Sequence, residues 1–296
     1  MKILLLGADG QVGWELQRTL APLGSLLPLG RAAADLRRPE DLRRAVRDFG
    51  PQVIINAAAY TRVDDAESEP EVARAVNAVA PGVLAEEASR MGAAIIHYST
   101  DYVFNGHLRR PYLETDPPEP LSVYGRTKLE GEQAIEQTSH AYLILRTSWV
   151  YSLRRPCFLR SVLEWSRNRE SLRIDADQVG GPTWCRLVAE AAAHILALAH
   201  PSPAGYLAER AGLYHLACAG SATRFEWAQE ILRLDPRAEE QRVRPHEILP
   251  ARSEEFHTPA PRPAYSALDS SKASSGFGLA LPPWAQALRL AMELGE

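Results

Sequence analysis

The apolar run Ile3-Leu4-Leu5-Leu6 passes without interruption into Gly7-Ala8-Asp9-Gly10-Gln11-Val12-Gly13, and no other junction limits the possible folds as much. A short apolar run bounded by turn residues reads as a buried strand. Glycines at 7, 10 and 13 permit a tight turn, a close backbone approach to pyrophosphate and close packing of helix on strand. The helix-like segment Trp14 to Leu23 then offers its N-terminus to an anion, with Gln11 and Val12 in the turn. Such glycine spacing is weak alone. Its place at the head of a strand-helix alternation favours a dinucleotide site over a plain corner.

The alternation continues through strand-like Leu26 to Leu29, Val53 to Asn56, Ala94 to Ser99 and Tyr142 to Thr147. Between them lie helix-like Pro39 to Phe49, Pro70 to Met91 and Ser122 to Thr138. This order predicts right-handed crossovers and an α/β fold, a Rossmann-type doubly wound parallel sheet. Ligands of such sheets bind beyond the carboxyl ends of the strands. At those ends stand the glycines, then Ala59-Tyr60-Thr61, Ser99-Thr100-Asp101 and Trp149.

Residues 1–150 are therefore read as a dinucleotide-binding domain. Residues 151–296 are read as a smaller C-terminal α/β region, mainly substrate-binding, of which some segments can return to the Rossmann core. Its elements are a helix-like Cys157 to Arg169, a short strand at Leu172 to Ile174, a helix from Cys185 to His200 and a proline-rich tract from Pro245 to Pro263. Pro111, Pro117, Pro118 and Pro120 predict a rigid loop at the mouth of the site.

Chemistry is suggested by Tyr124-Gly125-Arg126-Thr127-Lys128. Of 33 Lys and Arg residues only Lys2, Lys128 and Lys272 are lysines, so a Tyr-x-x-x-Lys pair arises by chance about 0.1 times. On a helix this spacing puts both groups on one face. An ammonium there can draw the phenol's pKa down from about 10 towards the range of a general acid at neutral pH.

Composition excludes several classes. A net charge of −4 gives no footprint for nucleic acid. Cys157, Cys185 and Cys218 are odd in number and widely spaced, so neither a disulfide framework nor a metal site is indicated. The eight histidines show no metal spacing, and His97, in a strand pattern, reads as structural. No apolar run nears the ~20 residues of a membrane span, and a cytoplasmic protein is expected.

Cofactor choice is read at the end of the second strand. A carboxylate there would grip a ribose 2′-hydroxyl and repel a 2′-phosphate, whereas Gly30-Arg31 stands with no carboxylate before Asp35. NADPH is expected, with NADH as an acceptable second cofactor.

Together with Gly7 to Gly13 and Tyr124 to Lys128, the blocks Asn56-Ala57-Ala58-Ala59, Ser99-Thr100-Asp101-Tyr102-Val103-Phe104 and Arg146-Thr147-Ser148-Trp149-Val150-Tyr151 resemble the extended short-chain dehydrogenase/reductase superfamily. Within it, the chain is similar to the branch that reduces dTDP-4-dehydrorhamnose. The resemblance implies that Tyr124 protonates the C4 ketone oxygen as the nicotinamide delivers hydride. It implies that Lys128 holds the nicotinamide ribose and keeps the phenol acidic. Thr100 would bond the reacting oxygen or the phenol, Asp101 a sugar hydroxyl, and Trp149 would pack on the sugar. Asp35 and Leu36 match positions on the adenine side.

Related dehydratases carry Glu after Thr-Asp. Tyr102 here disfavours water elimination. Two other readings are a reductase or epimerase of another nucleotide sugar and a non-catalytic dinucleotide-binding subunit. Some relatives dimerise around Mg²⁺ held by glutamates. Glu15 matches one of these, but Arg186 and Ala285 replace two others, so a homodimer would lack bridging magnesium and no metal is expected.

Overall fold

The computed structural model describes residues 1–293. Its centre is a six-stranded, all-parallel sheet: β1 (Lys2–Leu6), β2 (Ser25–Leu29), β3 (Val53–Asn56), β4 (Ala94–Thr100), β5 (Tyr142–Thr147) and β6 (Gly212–His215). The strands lie in the order β6-β5-β4-β3-β1-β2. Strand β1 is thus flanked by β2 on one side and β3 on the other, the reversal at which a doubly wound sheet opens a crevice. Strands β3 and β4 are buried along their whole length, as expected where helices cover both faces.

The helices on the sheet are α1 (Gln11–Thr19), α2 (Pro39–Phe49), α3 (Ala80–Met91), α4 (Val123–Thr138) and, after α5 (Phe158–Asn168), α6 (Cys185–Leu198). Helix α7 (Arg224–Arg233) follows β6. One face of the sheet packs Ile3, Leu5, Val53, Ile55 and Ile96 against Leu16 of α1 and Val188 and Ile195 of α6. The other packs Leu4, Leu6, Ile54 and Ile95 against Leu42 of α2 and Leu84 of α3. A separate core joins Trp227 and Ile231 of α7 to Leu159 and Val162 of α5, with Tyr151 and Trp184. It is the body of the smaller region beside the sheet.

Two differences from the sequence reading have local causes. The single helix predicted from Pro70 to Met91 has a wide turn at Ala75–Val79, between Pro70–Arg74 and α3. Pro81 has no N–H to return to Asn77, and a Cβ at Gly131 would collide with the Asn77 carbonyl, so the widened turn also fits the close crossing of α4. The predicted helix to Leu23 ends at Thr19, where Pro22 enters a 3₁₀ turn. Strand β6 carries the chain back from the smaller region to the sheet edge beside β5, and α6 packs across α1.

Candidate active site

Gly7, at φ +80°, makes the turn out of β1, and a side chain there would fall 2.6 Å from the Ala58 nitrogen. A Cβ at Gly13 would collide with the Gly7 carbonyl oxygen. These contacts bring the start of α1 hard against β1. Gly10 caps α1 without a side-chain hydrogen bond, so the helix presents its first N–H groups at the cleft. The cleft, of about 730 Å³, runs across the carboxyl ends of the strands.

Its walls include Gly7, Gly10, Gln11, Val12, Arg31, Asp35, Leu36, Ala59, Tyr60, Thr61, Thr100, Asp101, Tyr124, Lys128 and Trp149. The structure therefore gathers the sequence-predicted residues at one place, with two exceptions. Gly13 lies beneath the turn and serves packing. The proline segment predicted at the mouth does not line the cleft: Tyr112 stacks on Phe104 at 4.0 Å and pairs with Leu268, holding that segment to the outside.

At one end, Arg31 and Arg37 border the cleft, and Arg37 chelates Asp35 through Nε at 3.0 Å to both carboxylate oxygens. That bond holds the Asp35 carboxyl down to about 2. The backbone N–H of Arg31 donates to Asp9 at 3.3 Å.

At the other end, Ser122 caps α4 by accepting from Gly125 N–H at 3.2 Å, which sets the first turn on which Tyr124 stands. The Tyr124 hydroxyl meets Thr100, and burial of that hydroxyl pushes its pKa up while Thr100 opposes the shift. The Lys128 Nζ donates to the Tyr98 carbonyl at 2.6 Å and lies 3.1 Å from His97 Nε2. Burial pushes Lys128 down to about 8, against the Glu132 carboxylate. Burial thus moves the phenol opposite to the acidification expected from the sequence, and the Lys128 amine bonds to the strand behind it.

Asp101 is 3% exposed and turned inward. Its Oδ2 accepts from Ser148 Oγ at 2.9 Å and Ser266 Oγ at 2.6 Å, and its Oδ1 faces Thr100 Oγ1 at 3.1 Å. Burial pushes its carboxyl up to about 6, with the three hydroxyls opposing. Trp149 has φ +42°, a left-handed backbone that costs a bulky residue about 1–3 kcal/mol. Its ring is wedged between Gly180, Trp227 at 5.7 Å and the Arg224 guanidinium at 4.4 Å, so it forms the wall of the cleft.

Several contacts of the site escaped sequence reading. His97, read as structural, is wholly buried and bridges Lys128 to Asn56 Nδ2, 3.1 Å from its Nδ1. Burial and the Lys128 charge push its pKa well below the usual range, so the ring is neutral. Asn77, in the widened turn, accepts from Tyr60 N–H at 2.8 Å and donates to Thr127 Oγ1 at 3.2 Å. Arg224 and Arg262 converge on the Tyr102 hydroxyl from distant parts of the chain. Only folding brings these groups together, so no spacing announces them.

Comparison with known proteins agrees with this geometry. The RmlD substrate binding domain family matches residues 1–295. A dTDP-4-dehydrorhamnose reductase of Burkholderia thailandensis is 46% identical over 293 residues, 98% of this chain and 97% of that protein. The crystal structure of a dTDP-4-dehydrorhamnose reductase from Clostridium acetobutylicum superposes with a TM-score of 0.89 at 32% identity, covering 99% of both chains. That of the Bacillus anthracis enzyme, in complex with NADP, gives 0.88 at 31% identity over 99% of this chain and 100% of that one. With its whole described length and its cleft accounted for, the chain belongs to the RmlD substrate binding domain family.

Proposed function

We propose that this protein reduces the C4 ketone of dTDP-4-dehydro-β-L-rhamnose to give dTDP-L-rhamnose, using NADPH. The observation that carries the reading is the meeting of Thr100, Tyr124 and Lys128 in the cleft that begins at the uncapped N-terminus of α1. A pyrophosphate fits that helix end, where backbone N–H groups lack partners and glycines allow close approach. When bound, NADPH supplies the hydride. Tyr124 protonates the ketone oxygen as it becomes an alkoxide, Thr100 orients the phenol, and Lys128 holds the ribose. A donor already in place where charge develops lowers the barrier without reorganisation.

Gly7, Gly10, Gln11 and Val12 hold the pyrophosphate, while Asp35, Leu36, Ala59, Tyr60 and Thr61 line the adenosine side. Trp149 provides an apolar wall for the sugar. Arg31 and Arg37 favour a 2′-phosphate, since the one carboxylate between them, Asp35, is already paired. Residues 1–150 carry the cofactor, and most of 151–296 the substrate. We place the reaction in the cytoplasm; among the described residues no helix is long and apolar enough to cross a membrane.

A homodimer through α1 would form without magnesium, because Arg186 and Ala285 offer no carboxylate beside Glu15. Sedimentation unchanged by a chelator agrees with this, and chelator-induced dissociation contradicts it.

The activity is tested by loss of nicotinamide absorbance with fresh dTDP-4-dehydrorhamnose as sole oxidant. We expect turnover with a higher kcat/KM for NADPH than for NADH. No turnover, with NADPH bound, would reject the reading, and an NADH preference would reject the cofactor assignment alone.

A further inference from the structure

No carboxylate stands at the end of β2 in the sequence, yet the fold brings one there from the glycine turn. Strands β1 and β2 run parallel with Leu6 opposite Leu29, so the residues that follow each strand are neighbours. Gly7 N–H and Ala8 N–H donate to the Leu29 carbonyl at 3.0 and 3.2 Å, and Gly10 N–H returns to the Gly7 carbonyl at 2.9 Å. The tight turn closed by these bonds carries Asp9 over Gly30. A Cβ at Gly30 would fall 2.0 Å from Asp9 Oδ2 and 2.6 Å from its Cγ. The Asp9 carboxylate thus fills the space in which a side chain on Gly30 would begin.

Gly30 directly follows β2, and there a doubly wound fold can place the acid that accepts from an adenosine ribose 2′-hydroxyl. Asp9 lines the cleft beside Arg31. Its Oδ2 accepts from the Arg31 backbone N–H at 3.3 Å, which orients the carboxylate. Among the described residues its Oδ1 makes no hydrogen bond, and neither oxygen has a cation within ion-pair distance. Asp35, by contrast, has both oxygens on Arg37. An oriented carboxylate without a cation can accept from a hydroxyl and repels a phosphate. It therefore works against the two arginines, Arg31 and Arg37, that border the same end of the cleft.

We propose that Asp9 is a specificity-determining residue: from the glycine turn it supplies the acid that β2 lacks, accepts from the ribose 2′-hydroxyl of NADH and narrows the preference for NADPH. Gly30 belongs to the device, since only a residue without a side chain leaves the carboxylate that place. This deepens the reductase reading above and rests on its cofactor site.

Binding of NADP⁺ and of NAD⁺ to the full-length protein, measured by calorimetry without sugar, tests the assignment. Asp9→Asn keeps an oxygen for the Arg31 N–H and removes the charge. Its ratio of NADP⁺ to NAD⁺ affinity is expected to rise about 10-fold, for one charge removed beside a dianionic phosphate at an exposed site. NADP⁺ should bind more tightly, and NAD⁺ less tightly, because its hydroxyl loses a charged acceptor. Gly30→Ala keeps the charge and displaces it. The Gly30 backbone lies outside the left-handed region, so alanine fits, and the clash falls on the end of a flexible side chain. Its ratio should rise in the same direction. In the Asp9→Asn background the alanine should add little, because both changes act on one group. A ratio unchanged by Asp9→Asn would overturn the proposal, as would a Gly30→Ala effect that persists in full in the Asp9→Asn background. A protein whose binding ratio responds as expected, yet which never oxidises NADPH with dTDP-4-dehydrorhamnose, would support the role of Asp9 and refute the reductase reading.

Discussion

At the scale of single residues, turnover depends on which hydroxyl can release a proton. Tyr124→Phe removes that proton and leaves the turn at Gly7 to Gly13 untouched. Its kcat should fall by about 10²- to 10⁴-fold, the usual range for a general acid, with NADPH binding retained. Steady-state kinetics beside fluorescence titration would show this, and near-wild-type turnover would contradict it. Asp101 makes a stability prediction as well. Its folded pKa, about 6, stands above the ordinary 3.8. The native state therefore binds this proton more tightly, so the contribution is complete below pH 4 and is lost as pH climbs to 6. The loss is on the order of 3 kcal/mol. Urea unfolding at pH 4.5 and 7.5 should show wild type weakening relative to Asp101→Asn, and an equal pH response in both would contradict the assignment. Tyr124 and Lys128 were legible because lysine is so scarce here. Where the Lys128 amine points was not, since His97 and the Tyr98 carbonyl reach it across the sheet.

At the scale of elements, alternating apolar strands and capped helices reveal most of the sheet before any contact is known. Strands β1 to β5 fall close to where apolar runs predict them, because β1 and β3 to β5 are buried on two faces and the edge strand β2 is still half-covered. Strand β6 was missed. Its residues, Gly212–His215, begin with glycine, end with histidine and make no apolar run, and they pair with β5 only after the chain has made an excursion through the smaller region. Between β5 and α4, Arg146 forms a two-pronged ion pair with Glu132 at 2.8 and 2.6 Å, with both side chains almost wholly buried. Arg146→Ala would leave the Glu132 carboxylate unpaired beneath the Tyr124 helix and cost about 3–5 kcal/mol. Chemical denaturation would measure this, and a change under 1 kcal/mol would mean the pair carries little. Replacing both residues by apolar ones of similar size should cost much less.

At the scale of the whole molecule, two cores meet along one cleft, and the cleft joins residues from the first turn to Trp227. The parallel sheet dictates where a dinucleotide can lie, and this half was readable from the glycine turn and the strand order. The wall on the side of the smaller region was readable at Trp149 alone. Trp227, Phe158 and Arg224 reach it by packing of α7 against α5, a tertiary event without a sequence period. The proline segment shows the opposite failure, since rigidity was visible and location was not.

Direct reduction of the sugar's C4 ketone in this cleft is tested most directly by turnover with NADPH deuterated at the transferring position, followed by NMR of the sugar product. One deuterium at C4 is the predicted result. A product with deuterium at another carbon, or with none, would contradict the account.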